Sequence, residues 1–368
     1  MNVKKIVVAS TLKPINDTRM YEKIGISLGK DKSYEVHLVG YQSNIPDNSS
    51  LIFHPLFAFK RISLKRLLAP LKFLLLLLHI KPQLIIVCTY ELLSVAVLYK
   101  ALCKCKVIYD VQENYCSNII TTTTYPLLVR IPLALYVRAK ELPSSPFIDY
   151  YLLAEKIYAK ELGFTKGKSM VLENKYKGEV FTRAKKENDS PTRLLYTGTI
   201  AEEYGVFEAI ELAKNLHELE PNITLTIIGY ASKETTLTQL KKAIAGCYFI
   251  SLKGGDRLIP HAEILEEIKL ADFGLVCYRP NKNTENRIPT KLYEYLALQL
   301  PIIVQNNKLW VELCSAYQSA RVIDFQNYDV ISVLNQIKTS KSYPNGTDRS
   351  LLWESEEEKL IALIKGII

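Results

Sequence analysis

Two oppositely charged residues near the start of one helix have the clearest chemical potential in this sequence. In the segment IPTKLYEYLALQLPIIV (288–304), Lys291 and Glu294 are three positions apart, so a helix places them on one face. Pro289 suits a first helical position, and the spacing of the apolar residues predicts a helix over 289–299 followed by a buried strand. The two charges form either a surface ion pair or part of a ligand site.

Polar residues also follow two predicted strands in the first half of the chain. Asp17 and Arg19 lie at the mouth of a helix, where Arg19 is placed to meet an anion. The alternative is that Asp17 only caps the helix and Arg19 is solvated. In YDVQENY, Asp110 and Glu113 end another strand, where carboxylates act as bases, bind hydroxyls or cap a helix.

Glycines mark the corresponding position in the second half. The segment YTGTIAEEYGV (196–206) places Gly198 at a strand end and Gly205 before a helix, so a phosphate can approach the backbone there. The spacing matches neither the G-x-G-x-x-G fingerprint nor a P-loop. A long polar loop, YRPNKNTENR (278–287), then leads into the helix that carries Lys291.

The elements around these residues alternate between short β-branched runs and amphipathic stretches, which predicts two doubly wound parallel-sheet α/β domains. A polar linker at 182–192 separates them, and a second polar break precedes a final helix. Ligands of such folds bind beyond the carboxyl ends of the strands, so we expect the site in a cleft between the domains. The predicted strands are KIVVAS, YEVHLVG, LIIVCT, KVIYDV, FIDYYLL, RLLYTG, ITLTIIG, CYFISL, DFGLVCY and LPIIV, and the helices lie near 18–30, 63–80, 91–103, 126–141, 204–219, 232–245, 261–270, 289–299 and 309–317.

Composition narrows the class of protein. The 368 residues carry a net charge of +9 and are 48% hydrophobic, which suits two packed domains and an anionic ligand or membrane surface. The basic residues are scattered, which argues against nucleic acid as a partner. Seven cysteines without a C-x-x-C and five dispersed histidines predict neither a disulfide framework nor a metal site. Reduced thiols and a first apolar run too short for a signal peptide predict a cytoplasmic protein.

The leucine-rich segment 64–82, LKRLLAPLKFLLLLLHIKP, has two interpretations. Its uncharged core is too short to span a bilayer. Lys65, Arg66, Lys72 and Lys81 around the leucines are typical of a helix that lies at a membrane interface. A core helix of an α/β domain explains the same run equally well.

The order of these motifs resembles glycosyltransferase family 4, the group 1 retaining sugar transferases of GT-B fold, and in particular the members that act in bacterial polysaccharide synthesis. The resemblance covers nearly the whole chain. It rests on NDTRMYEKIGISL, YDVQENY and VLENKYKGEVF in the first domain, and on LLYTGTIAEEYGV, LTIIG, ADFGLVCYRP and NRIPTKLYEYLALQLPIIV in the second.

The resemblance implies a site and an activity. Glu294 would hold the ribose of a nucleotide-sugar donor, because a carboxylate accepts hydrogen bonds from two vicinal hydroxyls, while Lys291 would hold the diphosphate. The enzyme would be a hexosyltransferase that retains configuration and needs no metal or other cofactor. The candidate catalytic residues are Asp110, Gln112 and Glu113; the candidate donor-binding residues are Gly198, Thr199, Tyr204, Asn286, Arg287, Pro289, Lys291 and Glu294; and Asp17 and Arg19 are candidates for the acceptor or a phosphate.

The implied domain roles follow the same family. Residues 1–182 would bind a glycan acceptor, which we expect to be lipid-linked, and residues 183–350 would bind the donor. The helix in 351–368 would pack back on the first domain. A peripheral position on the inner face of the cell membrane is the expected localisation.

Three positions depart from the family pattern. Asn286 replaces a glutamate, Gln112 replaces a histidine, and Tyr204 lies where many relatives have a basic residue. These departures motivate an alternative, a catalytically degenerate nucleotide- or glycan-binding subunit of a transferase complex. A nucleotide-sugar epimerase of similar fold is a second rival, distinguished by conversion of the donor without acceptor.

Overall fold

The structure is a computed structural model that describes residues 3–46, 50–59, 64–121, 126–181, 183, 192–281, 284–339 and 342–368, without the side chains of 64 and 65. The chain forms two compact units. Unit 1 combines Met1–Lys177 with Trp353–Ile368, and unit 2 is Gly178–Leu352. Unit 1 is therefore assembled from two separate stretches of sequence.

Unit 1 is built on a seven-stranded parallel sheet in the order β3-β2-β1-β4-β5-β6-β7. Its central strands are apolar on both faces, as expected for a parallel sheet covered by helices. Ile6 on β1 pairs with Val36 on one side and Leu84 on the other. The edge strands β3 and β7 were not among the five strands predicted here, because most of their residues are only partly buried or exposed. The strands are β1 (Lys4–Pro14), β2 (Tyr34–Tyr41), β3 (Ile52–Phe57), β4 (Leu84–Val87), β5 (Lys106–Val111), β6 (Tyr150–Leu153) and β7 (Ser169–Val171).

Helices cover both faces of this sheet. A π-helical segment, Thr18–Gly25, leads into α1 on one face, and the side chains of α2, α3 and α5 fill the core on the other. The helices of this stretch are α1 (Ile26–Gly29), α2 (Ala69–Ile80), α3 (Leu93–Cys103), α4 (Tyr115–Thr121), α5 (Leu127–Ser144) and α6 (Tyr158–Glu161). No helix within the described residues is both long enough and apolar enough to cross a bilayer.

Unit 2 is built on a six-stranded parallel sheet in the order β10-β9-β8-β11-β12-β13. Its strands are β8 (Thr192–Thr199), β9 (Ile223–Tyr230), β10 (Ile250–Gly255), β11 (Phe273–Val276), β12 (Ile302–Gln305) and β13 (Ala320–Ile323). Its helices are α7 (Val206–Leu219), α8 (Glu234–Ile244), α9 (His261–Leu270), α10 (Thr290–Ala297), α11 (Lys308–Ser315) and α12 (Val330–Thr339). Neither β13 nor α12 was predicted from the sequence, and both come last in the unit.

The last helix, α13 (Glu354–Ile367), belongs to unit 1. Trp353, just before it, is fully buried, and its indole Nε1 donates to Ser27 Oγ at 2.8 Å. Lys175 Nζ lies 2.6 Å from Glu356 Oε1, whose side chain is also fully buried. The helix thus completes the face of the sheet that α1 begins.

Each sheet has one topological switch point, where the strand order reverses. In unit 1 it lies between β1 and β4, and in unit 2 between β8 and β11. The crevice beyond the carboxyl ends of two such strands is the usual ligand position in open α/β sheets. These two points are therefore the positions in the fold where a ligand site is expected.

Candidate functional site

Helix α10 brings Lys291 to the switch point of unit 2. The helix begins at Thr290, and Pro289 is its N-cap residue with φ −58° and ψ 135°, not its first helical residue as the sequence predicted. A hydrogen bond of 2.8 Å between the hydroxyls of Thr197 and Tyr295 fixes the helix to strand β8. The position of Lys291 is therefore set by a rigid contact between helix and sheet.

The ammonium of Lys291 is buried without a hydrogen-bond acceptor. The residue is 7% exposed, and none of the described residues accepts a hydrogen bond from its Nζ. Nζ lies 4.3 Å from the ring centroid of Tyr196 and 5.2 Å from that of Tyr278. Burial lowers the pKa of Lys291 to about 8, although the nearby Cys277 and Glu294 raise it in part. Contact with two aromatic faces offsets only some of the loss of hydration.

The place of Lys291 in its helix adds to this electrostatic cost. It lies in the first turn of α10, where the helix dipole is positive and favours an anion over a cation. Burial, a missing acceptor and an unfavourable dipole all destabilise the ligand-free unit. An anion bound beside Nζ would offset these penalties, because it supplies the acceptor and the opposite charge.

Two glycines let the backbone approach closely around Lys291. Gly198, one residue before the end of β8, has φ 97°, and a Cβ there would lie 3.6 Å from Lys291 Cε. Gly205, with φ 77°, precedes α7, and a Cβ at this glycine would overlap the carbonyl oxygen of Cys277 at 1.9 Å. The glycine thus lets the N-terminus of α7, another positive dipole end, approach the residue that follows β11.

Glu294 is held by a histidine that the sequence analysis did not select. The residue is 9% exposed, and its Oε1 lies 2.9 Å from Nε2 of His261, the first residue of α9. Because no described carboxylate lies within ion-pair distance of Lys291, the surface ion pair considered above does not form. Glu294 and Lys291 are thus separately held groups at the start of one helix.

The loop after β8 contacts aromatic and charged residues of the loop after β11. The rings of Tyr204 and Tyr278 are in contact at a tilt of 39°, with centroids 4.9 Å apart. The carbonyl of the exposed Thr199 accepts a hydrogen bond of 3.0 Å from the Tyr196 hydroxyl. Arg279, which follows Tyr278, is an arginine close enough in sequence to be considered for binding an anion. It is paired with Glu208 and, at 2.7 Å, with Glu202. The guanidinium is therefore already committed to carboxylates.

Asn286 and Arg287 lie in the loop that enters α10. Asn286 is exposed in a turn, and Arg287 is partly buried with its carbonyl accepting a 2.7 Å hydrogen bond from Trp310 Nε1. Asn307 Nδ2 donates to the carbonyl of Glu285 at 2.9 Å and anchors the same loop. The loop is thus fastened to α11 immediately before the candidate site.

The structure changes the interpretation of Arg19 and Asp110 in unit 1. Arg19 Nε and Nη2 donate to the Asp110 carboxylate at 2.7–3.2 Å, and Nη1 donates to the carbonyl of Leu172 at 2.9 Å. The side chains are 4% and 0% exposed. Burial alone lowers the pKa of Arg19, but the Asp110 carboxylate outweighs it and raises the pKa overall. The geometry favours a structural ion pair over the anion-binding and catalytic roles expected above.

Asp17 and Gln112 support the same structural assembly. The Asp17 carboxylate accepts from the backbone N–H groups of Arg19 at 3.0 Å and Met20 at 2.9 Å, so it caps the π-helical segment. Gln112 Nε2 donates to Asp110 Oδ2 at 2.9 Å. The capping alternative for Asp17 therefore fits the structure better than contact with an acceptor.

Glu113, the third candidate catalytic residue, contacts Lys13 and Asn118 instead. Its side chain is 42% exposed, and Oε1 lies 3.7 Å from Nζ of Lys13, which follows the buried part of β1. Asn118 Nδ2 donates to Oε2 at 3.1 Å. Burial acts to lower the pKa of Lys13, but the nearby carboxylates of Glu113 and Asp17 outweigh burial and raise the pKa overall. The ammonium therefore stays charged. Lys13 was missed because a lone lysine in a polar loop carries no sequence signal.

Metal-ligating side chains are dispersed in this fold. Among the residues that the structure describes, no three His, Cys, Asp or Glu side chains come together in a way that could hold a metal ion. The charge of Lys291 is thus the clearest electrostatic feature at the switch point of unit 2.

The comparison with protein families identifies the segment that carries this feature. Residues 179–339 match the model of the family "Glycosyl transferases group 1". The match lies within unit 2 and includes Gly198, Lys291, Glu294 and His261. No curated protein sequence matches the chain significantly.

Solved structures similar to the whole chain share its fold at low sequence identity. Sucrose-phosphate synthase from Thermosynechococcus elongatus is 13% identical with a TM-score of 0.69, over 99% of this chain and 98% of that chain. HepE from Anabaena, in complex with UDP-glucose, is 11% identical with a TM-score of 0.64, over 99% of both chains. The lipopolysaccharide outer core galactosyltransferase WaaB is 12% identical with a TM-score of 0.54, over 99% of this chain and 95% of that chain. The GT-B fold is therefore shown, and its second sheet carries the group 1 segment.

Proposed function

We propose that this protein is a glycosyltransferase that transfers a sugar from a nucleotide-sugar donor bound to unit 2. The observation that carries the proposal is the buried ammonium of Lys291, which has no hydrogen-bond acceptor among the described residues. A diphosphate is the group of the donor that matches this requirement. The group 1 match of unit 2 and the UDP-glucose complex of the structurally similar HepE support it.

The roles of the unit 2 residues follow from their positions. Lys291 and the Gly198 backbone would hold the diphosphate and stabilise the charge that develops on it as the sugar–phosphate bond breaks. Glu294, positioned by His261, would accept hydrogen bonds from the ribose hydroxyls. Thr199, Tyr204, Asn286, Arg287 and Pro289 would shape the donor site around them.

The remaining features of the proposal concern the acceptor. We place acceptor binding on unit 1, with Glu113 as its candidate catalytic carboxylate, and expect a lipid-linked glycan of bacterial surface polysaccharide synthesis. Retention of configuration and a reaction without metal complete the proposal. WaaB, a galactosyltransferase of the lipopolysaccharide outer core, provides structural precedent for this class of acceptor.

The decisive experiment is thermal unfolding with uridine, guanosine, thymidine and cytidine diphosphates and their sugars. A ligand at 100 times its dissociation constant stabilises by about 2.7 kcal/mol, which corresponds to a shift of roughly 5–10 °C. We expect one nucleotide to shift the wild type but not Glu294→Ala. Glu312→Ala is the matched control, because this glutamate is 63% exposed in α11. Absence of a shift with every nucleotide contradicts the donor site.

A nucleotide- or glycan-binding subunit without catalysis is the second candidate. Its motivation is that Asp110, one of the three predicted catalytic residues, already accepts hydrogen bonds from Arg19 and from Gln112, a second of the three. Chromatography of a radiolabelled donor separates the two candidates, since the subunit binds donor but turns over none of it with or without acceptor. An epimerase would instead convert the donor in the absence of acceptor.

A further inference from the structure

The outer surface of three neighbouring helices in unit 1 is unusually apolar. Helices α2, α3 and α5 cover one face of the sheet, with α3 in contact with both of the others. Their inner sides bury core residues such as Phe73, Ala96 and Val137. We call the outer sides of α2, α3 and α5 the three-helix face.

Large aliphatic side chains recur along this face at helical spacing. On α5, Leu128 is 90% exposed, Ile131 63% and Leu135 63%, which makes one stripe at positions i, i+3 and i+7. On α2, Leu71 is 55% exposed and Leu75 60%. The remaining exposed members are Leu78 on α2, Leu98 and Leu102 on α3, and Leu127, Val129 and Leu142 on α5. Single exposed leucines are ordinary, but stripes on adjacent helices mark an interaction surface.

The charge of the three-helix face has one sign. The sequences of α2, α3 and α5 contain a single acidic residue, Glu141, which is 2% exposed and paired with Arg138 at 2.6 Å. Of the basic residues, Lys72 on α2 is exposed, and Lys81 and Lys104 are exposed at the C-caps of α2 and α3. The surface that meets solvent is therefore apolar and positive.

A basic groove adjoins the C-terminal ends of α2 and α3. It has a volume of about 570 Å³, and its lining includes Leu78 and Tyr99. Its lining lysines are Lys4, Lys81, Lys104 and Lys106. Apolar side chains beside a lysine-lined groove match the two layers of a membrane surface, acyl chains and phosphate headgroups.

We propose that the three-helix face docks onto an anionic phospholipid bilayer, with the leucine stripes in the acyl boundary and the lysines at the phosphates. Charge selects this occupant, because a symmetric contact between two copies would bring the same lysines together. The inference deepens the proposed function by stating where unit 1 would meet a lipid-linked acceptor. It does not depend on the donor site of unit 2.

Two of the three helices of this face, α3 and α5, were not predicted from the sequence to lie at a membrane. The interfacial helix considered in the sequence analysis was 64–82 alone, with Arg66 among its membrane-facing charges. Arg66 is instead paired with Glu91 at 2.5 Å, so its charge is already balanced. Helix α5 contributes the most exposed leucine of the face, Leu128, and contacts α3, which in turn contacts α2.

Flotation with vesicles tests the inference directly. Wild-type protein is mixed with vesicles of phosphatidylcholine containing 30% phosphatidylglycerol, or of phosphatidylcholine alone. We expect the protein to bind the anionic vesicles at least tenfold more strongly than the neutral ones. Added salt should weaken binding to the anionic vesicles. Leu128→Glu with Leu135→Glu should weaken anionic binding at least tenfold. Lys72→Glu with Lys104→Glu should remove the preference for anionic lipid.

The matched control changes exposed apolar residues of unit 2. Leu270 is 55% exposed on α9 and Ile331 60% on α12, so Leu270→Glu with Ile331→Glu makes the same chemical change away from the face. Folding and the nucleotide-dependent melting shift are measured on every variant, so loss of the donor site is distinguished from loss of docking. Wild type that fails to float, or face variants that float like the control, overturn the inference. A wild-type dimer that the leucine variant dissociates overturns it as well and assigns the face to self-association.

Discussion

Arg19 in unit 1 and Lys291 in unit 2 are buried cations near the carboxyl ends of two similar sheets, yet their surroundings are opposite. The Arg19 guanidinium has protein acceptors for Nε, Nη1 and Nη2, including the Asp110 carboxylate. Lys291 Nζ has two aromatic rings and no acceptor among the described residues. A buried charge that is fully bonded belongs to the fold, whereas one that lacks a partner is suited to a ligand.

This comparison predicts its largest effect on stability in unit 1. Arg19→Met leaves the Asp110 carboxylate buried without its cation, which should cost about 3–5 kcal/mol in free energy of unfolding. Urea unfolding followed by Trp353 fluorescence in a Trp310→Phe background reports on unit 1 alone, because these are the two tryptophans of the chain. Arg19→Met with Asp110→Leu should recover part of the loss. A near-neutral single variant would contradict the structural role of the Arg19–Asp110 ion pair.

The second prediction concerns Lys291→Met, which keeps an unbranched side chain one heavy atom shorter and removes the charge. We expect the rate of sugar transfer to fall by ~10²–10³, because a preorganised charge opposite the leaving diphosphate is lost. The ligand-free variant should be at least as stable as the wild type, since an unpaired buried charge has gone. Lys308→Met is the matched control, because that side chain is 91% exposed. A destabilised variant with unchanged turnover would reverse the comparison between the two cations.

The smallest predicted effect is a pH dependence of donor binding. The pKa of Lys291 is about 8 without ligand, and a diphosphate binds the protonated form. The affinity for nucleoside diphosphate should therefore fall about tenfold per pH unit above pH 8 and stay level below it. Calorimetric titration from pH 6.5 to 9.5 measures this, with Lys291→Met as the variant whose lysine-dependent slope disappears.

Deprotonation of Lys291 has the opposite effect on the stability of the ligand-free protein: it weakens donor binding but raises the free energy of unfolding. An unfolded lysine keeps its proton up to its ordinary pKa of 10.5, whereas the folded one releases it near 8. Between these values the unfolded state binds more protons, so stability relative to Lys291→Met should rise with pH. Urea midpoints of unit 2 at pH 7.5 and pH 9.5 test the sign, and a fall over this range would contradict the buried, unpaired lysine.

Periodic segments of the sequence predicted the parallel α/β fold well. The spacing of Leu292, Tyr295 and Leu296 indicated α10, and apolar runs such as LIIV indicated the central strands. Edge strands β3 and β13 escaped because an edge strand is only half covered, so its sequence mixes polar and apolar residues. The start of α10 moved by one residue because Pro289 fits an N-cap as readily as a first helical turn.

The partners of the site residues were beyond sequence reasoning. Glu294 and His261 are 33 positions apart, and Arg19 and Asp110 are 91 apart. Spacing along one helix shows which residues share a face, but contacts across the sheet depend on strand order. The sequence could therefore indicate Lys291 as a candidate, while its lack of an acceptor became visible only from the packing of Tyr196 and Tyr278 around it.

Because α13 belongs to unit 1, the position of this helix at the end of the chain affects the order in which the two units can complete folding during synthesis. Residues 353–368 emerge only after the whole of unit 2, although Trp353, Leu360 and Ile364 are fully buried in the core of unit 1. The apolar face that α13 covers is thus only partly covered while the second unit is translated. Domains usually fold in order of synthesis. Here the second unit can complete its core first, and the first must wait for its final helix.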